Sequence, residues 1–196
     1  DTNGGTGPQP ASATYLPTGG ASSLPAVQTG NLSSGNYLRF KSASNSDLEL
    51  TDIRSVFWVV KGGGFLLGTN PSQGAAATYD FHRGAGGFGS NNNDPILLGP
   101  PNYPPESATA NSMNWFLNQA AIDPRVAALP SSYSVLDAVQ PKSNAASLHA
   151  GAIGSSNIDG CCNGRAGGTF LSELLIFNSS LSNTDRLILE TYLNNK

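Results

Sequence analysis

The residues able to do chemistry are few and scattered along the chain. Side chains two apart on a strand share a face, and retaining glycoside hydrolysis needs two carboxyl groups about 5–5.5 Å apart. The nearest arrangement is Asp47-Leu48-Glu49-Leu50-Thr51-Asp52, where Asp47 and Glu49 share a face and Thr51 interrupts the acidic alternation. That set is incomplete for hydrolysis and reads as the polar outer face of a strand. A Ser-His-Asp set with a nucleophile elbow is absent, and the closely spaced glycines of Gly84-Ala85-Gly86-Gly87-Phe88-Gly89 lead into Ser90-Asn91 and not into a helix, so they form no phosphate cradle. Zinc chemistry is disfavoured because the cysteines are one adjacent pair, Cys161-Cys162, and the imidazoles are only His82 and His149. The chain therefore reads as a non-enzyme.

Binding chemistry is better represented. Pyranose sugars present an apolar face to aromatic rings and hydroxyls to amides and carboxylates. Tyr79-Asp80-Phe81-His82-Arg83 joins two aromatics to polar groups, with Tyr79, His82 and Arg83 as candidate ligand contacts. The plainer reading of that stretch is a strand burying Tyr79 and Phe81. Ser90-Asn91-Asn92-Asn93-Asp94 supplies Asn92 and Asp94 as a second candidate. It is a long turn, or else a Ca²⁺ site centred on Asp94, since calcium takes six to eight oxygen ligands. Tyr103 stands on a stiff loop between proline pairs, and Trp58 and Trp115 fall within strand patterns that place them in a core. Asp159 and Arg165 flank the vicinal cysteines, which stay reduced, pair with another chain, or close a strained ring that holds Asp159 and Arg165 as a fixed pair.

The elements that must position these residues follow from composition and periodicity. A chain of 196 residues with 12% charged residues, 23 Gly and 13 Pro has the turn-rich make-up of one all-β domain. A net charge of −3 and no Lys/Arg cluster give no footprint for nucleic acid or an anionic membrane, and the apolar runs are too short to insert into a bilayer. Asp1 opens the sequence with no initiator Met, which suggests processing or excision from something longer. Low Lys content and the sequons Asn31-Leu32-Ser33 and Asn178-Ser179-Ser180 favour an extracellular, cell-surface or virion-surface location. Residues 1–30 are Gly/Pro/Ser/Thr-rich and read as an extended arm or linker, and residues 31–196 as the domain proper.

Within that domain, Tyr37 to Phe40 and Leu48 to Leu50 alternate as half-buried strands do, whereas Val56 to Val60 is continuously apolar and reads as a central strand covered on both faces. Asn114 to Ile122 predicts a hairpin with Asn118 at positive φ. Tyr133 to Leu136, Ser147 to Gly151 and Thr169 to Phe177 are further strands. The period then changes to 3.6, with Ser182 as N-cap, Asp185 three residues on, and Leu189, Tyr192 and Leu193 on one face of a closing helix.

The run from Gly164-Arg165 through Phe170-Leu171-Ser172-Glu173-Leu174-Leu175-Ile176-Phe177-Asn178, Leu181-Ser182, Asp185-Arg186 and Glu190-Thr191-Tyr192-Leu193 resembles the C-terminal signature of bacterial and phage laminin G-like, concanavalin A-like lectin-glucanase domains. More loosely, Tyr37 to Leu50, Ser55 to Lys61 and Trp115 to Gln119 are similar to that family's earlier strands and hairpin, with Lys41 and Gln119 departing from its usual Asp and Gly. The resemblance implies a jelly-roll sandwich of two antiparallel sheets with a short C-terminal helix. It leaves activity open, since that fold hosts lectins, glucanases, adhesion modules and viral spike domains. The expected function is a non-catalytic recognition module for glycans or a host or cell surface. The alternative is a structural unit of a capsid decoration, tail fibre or surface layer that contacts neighbouring chains; a glycoside hydrolase of the same fold ranks third.

Overall fold

The computed structural model describes residues 13–29, 38–46, 48–62, 66–68, 81, 95–97, 110, 112–144, 148–153 and 169–196. The regular structure of the described residues is mostly β-strand in antiparallel sheets, with an α-helix at the C-terminus. The strands are β1 (Thr14–Leu16), β2 (Ala26–Gln28), β3 (Leu38–Arg39), β4 (Leu50–Ile53), β5 (Ser55–Lys61), β6 (Leu67–Gly68), β7 (Asn114–Leu117), β8 (Ala120–Ile122), β9 (Ser134–Val139), β10 (Leu148–Ala150), β11 (Ala152–Ile153) and β12 (Phe170–Phe177); the helix is α1 (Asn183–Asn194).

A seven-stranded sheet in the order β1-β2-β12-β5-β9-β7-β8 carries the structure. Two smaller sheets, β10-β4 and β3-β11-β6, hold the other strands among the described residues. The chain changes sheets at Arg54, whose N–H donates to the Phe177 carbonyl at 2.8 Å while its own carbonyl accepts from Gln140 N at 2.8 Å.

Strand β5 sits at the centre because its SVFWVVK sequence is apolar on both faces, as the sequence pattern predicts. Val56, Trp58 and Val60 point into a core shared with Leu136, Ala138, Trp115 and Leu171 of the large sheet and with Ile53, Leu67, Leu148 and Ala150 of the small ones. Phe57 and Val59 point the other way, into a second core with Val135, Leu189 and Leu193 beneath the helix. The large sheet is thus covered on one face by strands and on the other by α1.

The hairpin forms where expected. Strands β7 and β8 pair with Trp115 opposite Ile122 and Leu117 opposite Ala120. The turn between them places Asn118 at φ 47° and Gln119 at φ 73°, the double positive-φ geometry of a two-residue hairpin loop. Asn118 fixes the turn to β9, its amide oxygen accepting from Val135 N at 2.9 Å.

Two expectations change. Part of the segment read as an arm belongs to the domain: β1 pairs with β2, and β2 pairs with β12 through Phe170↔Gln28 and Leu171↔Val27. The connection between them is anchored as well, with Tyr133 Oη donating to the Gly19 carbonyl at 2.7 Å and Ala21 N to Ser172 Oγ at 3.1 Å. The second change concerns the helix. Its buried residues are Arg186, Glu190 and Leu193, whereas Tyr192 is 53% exposed.

Candidate functional site

The residues singled out for ligand contact, Tyr79, His82, Arg83, Asn92, Asp94, Tyr103, Asp159 and Arg165, lie outside the described residues, as do Cys161 and Cys162. Phe81, which precedes His82 in the sequence, is described, and it is a core residue: it is 3% exposed and meets Trp58 edge-on at 5.8 Å between ring centroids. Trp58 in turn stacks on Trp115 at 5.8 Å with the planes 6° apart. Both indoles are buried, as their strand positions predicted, so neither offers a platform to a sugar. No group of three or more His, Cys, Asp or Glu side chains able to hold a metal occurs among the described residues.

Two polar constellations do form. The first is a groove of about 490 Å³ where β4 runs past the end of β12, lined by Glu49, Leu50, Thr51, Asp52, Ile53, Ile176, Phe177 and Asn178. Its size falls within the range of about 300–1,000 Å³ typical of small-ligand clefts. Of the acidic stretch Asp47 to Asp52, Glu49, Thr51 and Asp52 line the groove, and Asp47 is outside the described residues. Arg54 Nε donates to Asp52 Oδ1 at 2.7 Å, and Arg54 Nη1 to the Asn144 carbonyl at 3.1 Å. The Asp52–Arg54 pair is solvent-facing and adds little stability. Its effect is to orient a carboxylate that retains free acceptor capacity. The lining of the groove brings together the acidic residues Glu49 and Asp52, the hydroxyl-bearing Thr51, the amide-bearing Asn178 and the apolar Leu50, Ile53, Ile176 and Phe177. That is hydrogen-bonding chemistry suited to a polyol.

The second constellation is closed to solvent. Asp137 projects from the middle of β9 toward α1, where Arg186 and Glu190 come down from the helix; their exposures are 0%, 4% and 0%. Arg186 Nη1 donates to Glu190 Oε2 at 2.6 Å and lies 3.8 Å from Asp137 Oδ2. Glu190 Oε1 accepts from Gln119 N at 2.8 Å, which ties the hairpin turn to the helix. The guanidinium lies over the Phe116 ring at 3.7 Å and also donates to Asn183 Oδ1. Burial, reinforced by the Glu190 carboxylate, pushes the Asp137 carboxyl up to about 9, against a smaller pull downward from Arg186.

Sequence reasoning passed over this cluster, although two signals were present. Asp137 is the lone charge in SVLDAV, a strand buried throughout, and Arg186 and Glu190 stand four apart on the helix. An acid inside an apolar strand needs a partner from the element packed over it.

In class, the fold and sites define an antiparallel all-β protein with one docked helix, a solvent-open polar groove and a buried ionic cluster. The chain matches no protein-family model, and no curated protein or solved structure shows significant similarity to it.

Proposed function

We propose that the chain is a non-catalytic recognition module, a laminin G-like jelly-roll sandwich that binds carbohydrate on an extracellular, cell or virion surface. The observation that carries this reading is the groove beside β4, whose lining combines Glu49, Thr51, Asp52 and Asn178 with the apolar Leu50, Ile53, Ile176 and Phe177. Sugars combine hydroxyl edges with apolar C–H faces, and such a lining meets both. The C-terminal sequence run from Phe170 to Leu193 supports the family assignment, and the order of strand, turn, capped helix and Leu193 fits it.

The alternative is a structural unit contacting neighbouring chains of a larger assembly. An N-terminal arm strapped onto a neighbour would support it, but residues 14–16 and 26–28 form β1 and β2 within the domain's own sheet. Glycan-array binding by the whole chain separates the two readings. Specific binding that falls at least tenfold in Asp52→Ala and Asn178→Ala, with unchanged melting temperature, is expected. No glycan signal together with concentration-dependent self-association favours the assembly unit.

A further inference from the structure

We infer that Asp137, Arg186 and Glu190 form a one-proton latch that holds α1 on the large sheet and weakens as that proton is lost. Two carboxylates and one guanidinium share a site in which none is more than 4% exposed, so the site is neutral only when it holds one proton.

The surroundings supply no further charge among the described residues. Strand β5 places Phe57 opposite Asp137, and β7 places Phe116 opposite it on the other side. The hairpin turn gives the Gln119 N–H, and α1 itself adds the neutral Asn183. The remaining titratable groups near the helix are engaged elsewhere: Asp185 at the N-cap Ser182, Lys196 with Glu173, and Tyr133 with the Gly19 carbonyl.

Geometry also says which acid carries the proton. Both Glu190 oxygens accept hydrogen bonds, from Gln119 and Arg186. Neither Asp137 oxygen accepts one, and 3.8 Å to Arg186 is too long to count. A protonated Asp137 donates toward Glu190 and leaves the site neutral. An ionised Asp137 leaves a net negative charge sealed between sheet and helix.

The sign follows from linkage. The docked Asp137 holds its proton up to about 9, whereas an exposed one has the ordinary value of 3.8. Docked protein therefore binds one more proton than released protein across that window. Docking is strongest below the exposed value, falls by up to about tenfold per pH unit as pH rises, and levels off above the docked value. Release of α1 uncovers Phe57, Val59 and Val135, which pack against Leu189 and Leu193.

Hydrogen exchange of the α1 amides, corrected for intrinsic rates, reads the opening constant directly. In the unaltered chain it is expected to rise several-fold to tenfold per unit between pH 6 and 8.5 while β5 amides stay protected. Asp137→Asn is expected to abolish that slope, and Glu190→Gln to do the same by leaving Asp137 to pair with Arg186. A flat opening constant in the unaltered chain overturns the latch whatever the variants do, as does an unchanged slope in either variant that folds.

Discussion

At the scale of single residues, what matters is whether each buried polar atom has a partner. The two stacked tryptophans differ in this respect. Trp115 Nε1 donates to the Ala110 carbonyl at 2.8 Å, whereas Trp58 Nε1 has no acceptor among the described residues. Trp115→Phe removes the shorter of two hydrogen bonds to the Ala110 carbonyl, leaving the one from Met113 N at 3.3 Å, which costs about 0.5–1.5 kcal/mol beyond the lost ring contact. Trp58→Phe removes an unpaired donor along with similar contact area. Urea denaturation is therefore expected to rank Trp58→Phe as the milder change, and equal midpoints would show that the indole hydrogen bond contributes nothing. The turn residues make a second case. Gln119 sits at φ 73°, a position that glycine occupies without steric penalty, while its N–H still reaches Glu190. Gln119→Gly is expected to stabilise the protein by about 0.5–1 kcal/mol after the entropy of the unfolded chain is counted, readable as a higher melting temperature. The positive φ at Asn118 was legible in the sequence because asparagine between two apolar runs has a local reason to turn. The Glu190 contact was not, since it joins the turn to a helix 71 residues away.

At the scale of elements, strand β5 and helix α1 show what periodicity reveals and what it hides. A continuous apolar run declares burial on both faces, and β5 has it. The N-cap was equally readable: Ser182 Oγ accepts from Asp185 N at 3.1 Å and donates to Asp185 Oδ2 at 2.6 Å. The inward face of the helix was not readable from hydropathy, because Arg186 and Glu190 count as solvent-facing until a strand supplies a buried partner. Periodicity put Leu189, Tyr192 and Leu193 on one face; the two leucines do pack toward the sheet, beside Arg186 and Glu190, while Tyr192 lies outside with Lys196 over its ring at 5.0 Å. The link from β12 to α1 adds a testable asymmetry. Ser55, fully buried on β5, donates to the Ser179 carbonyl at 2.8 Å and accepts from Leu181 N at 3.1 Å, so it pins the connection in the middle. Ser55→Ala removes two part-buried hydrogen bonds to the connection and, at about 0.5–1.5 kcal/mol each, is expected to cost about 1–3 kcal/mol. Ser182→Ala removes one exposed cap and is expected to cost about 1 kcal/mol. Chemical denaturation of the two variants checks the order, and a costlier Ser182→Ala would place the anchor of the helix at its cap.

At the scale of the whole molecule, the large sheet ends in strands drawn from the start of the chain, and this is where composition misleads. Thr14–Leu16 and Ala26–Gln28 are three-residue strands among Gly, Pro and Ser, too short for period two to stand out. Their reason for being strands lies far along the chain: Thr29 N donates to the Thr169 carbonyl, Ala21 N to Ser172 Oγ, and Leu171 pairs with Val27. No local window contains that information, because the partner strand β12 supplies it. The small sheets and the docked helix cover the faces of the large sheet, but a face-covering argument leaves its edge beside β12 unprotected unless β1 and β2 are present. Removing residues 1–29 is therefore expected to lower the melting temperature and promote self-association through the uncovered backbone of β12, where a dispensable arm would leave both unchanged. Gly20→Ala is the single-residue version of the same test. A β-carbon at Gly20 would stand 2.6 Å from the Leu24 carbonyl oxygen and 2.7 Å from that of Pro25, and would collide with Ser172 Oγ. Overpacking of this kind costs about 1–3 kcal/mol, so Gly20→Ala is expected to loosen β1 and β2 together while β5 and β9 keep their hydrogen-exchange protection. Protection that falls uniformly across the sheet would mean that the N-terminal strands fold as one unit with the core, and unaltered protection would detach them from it.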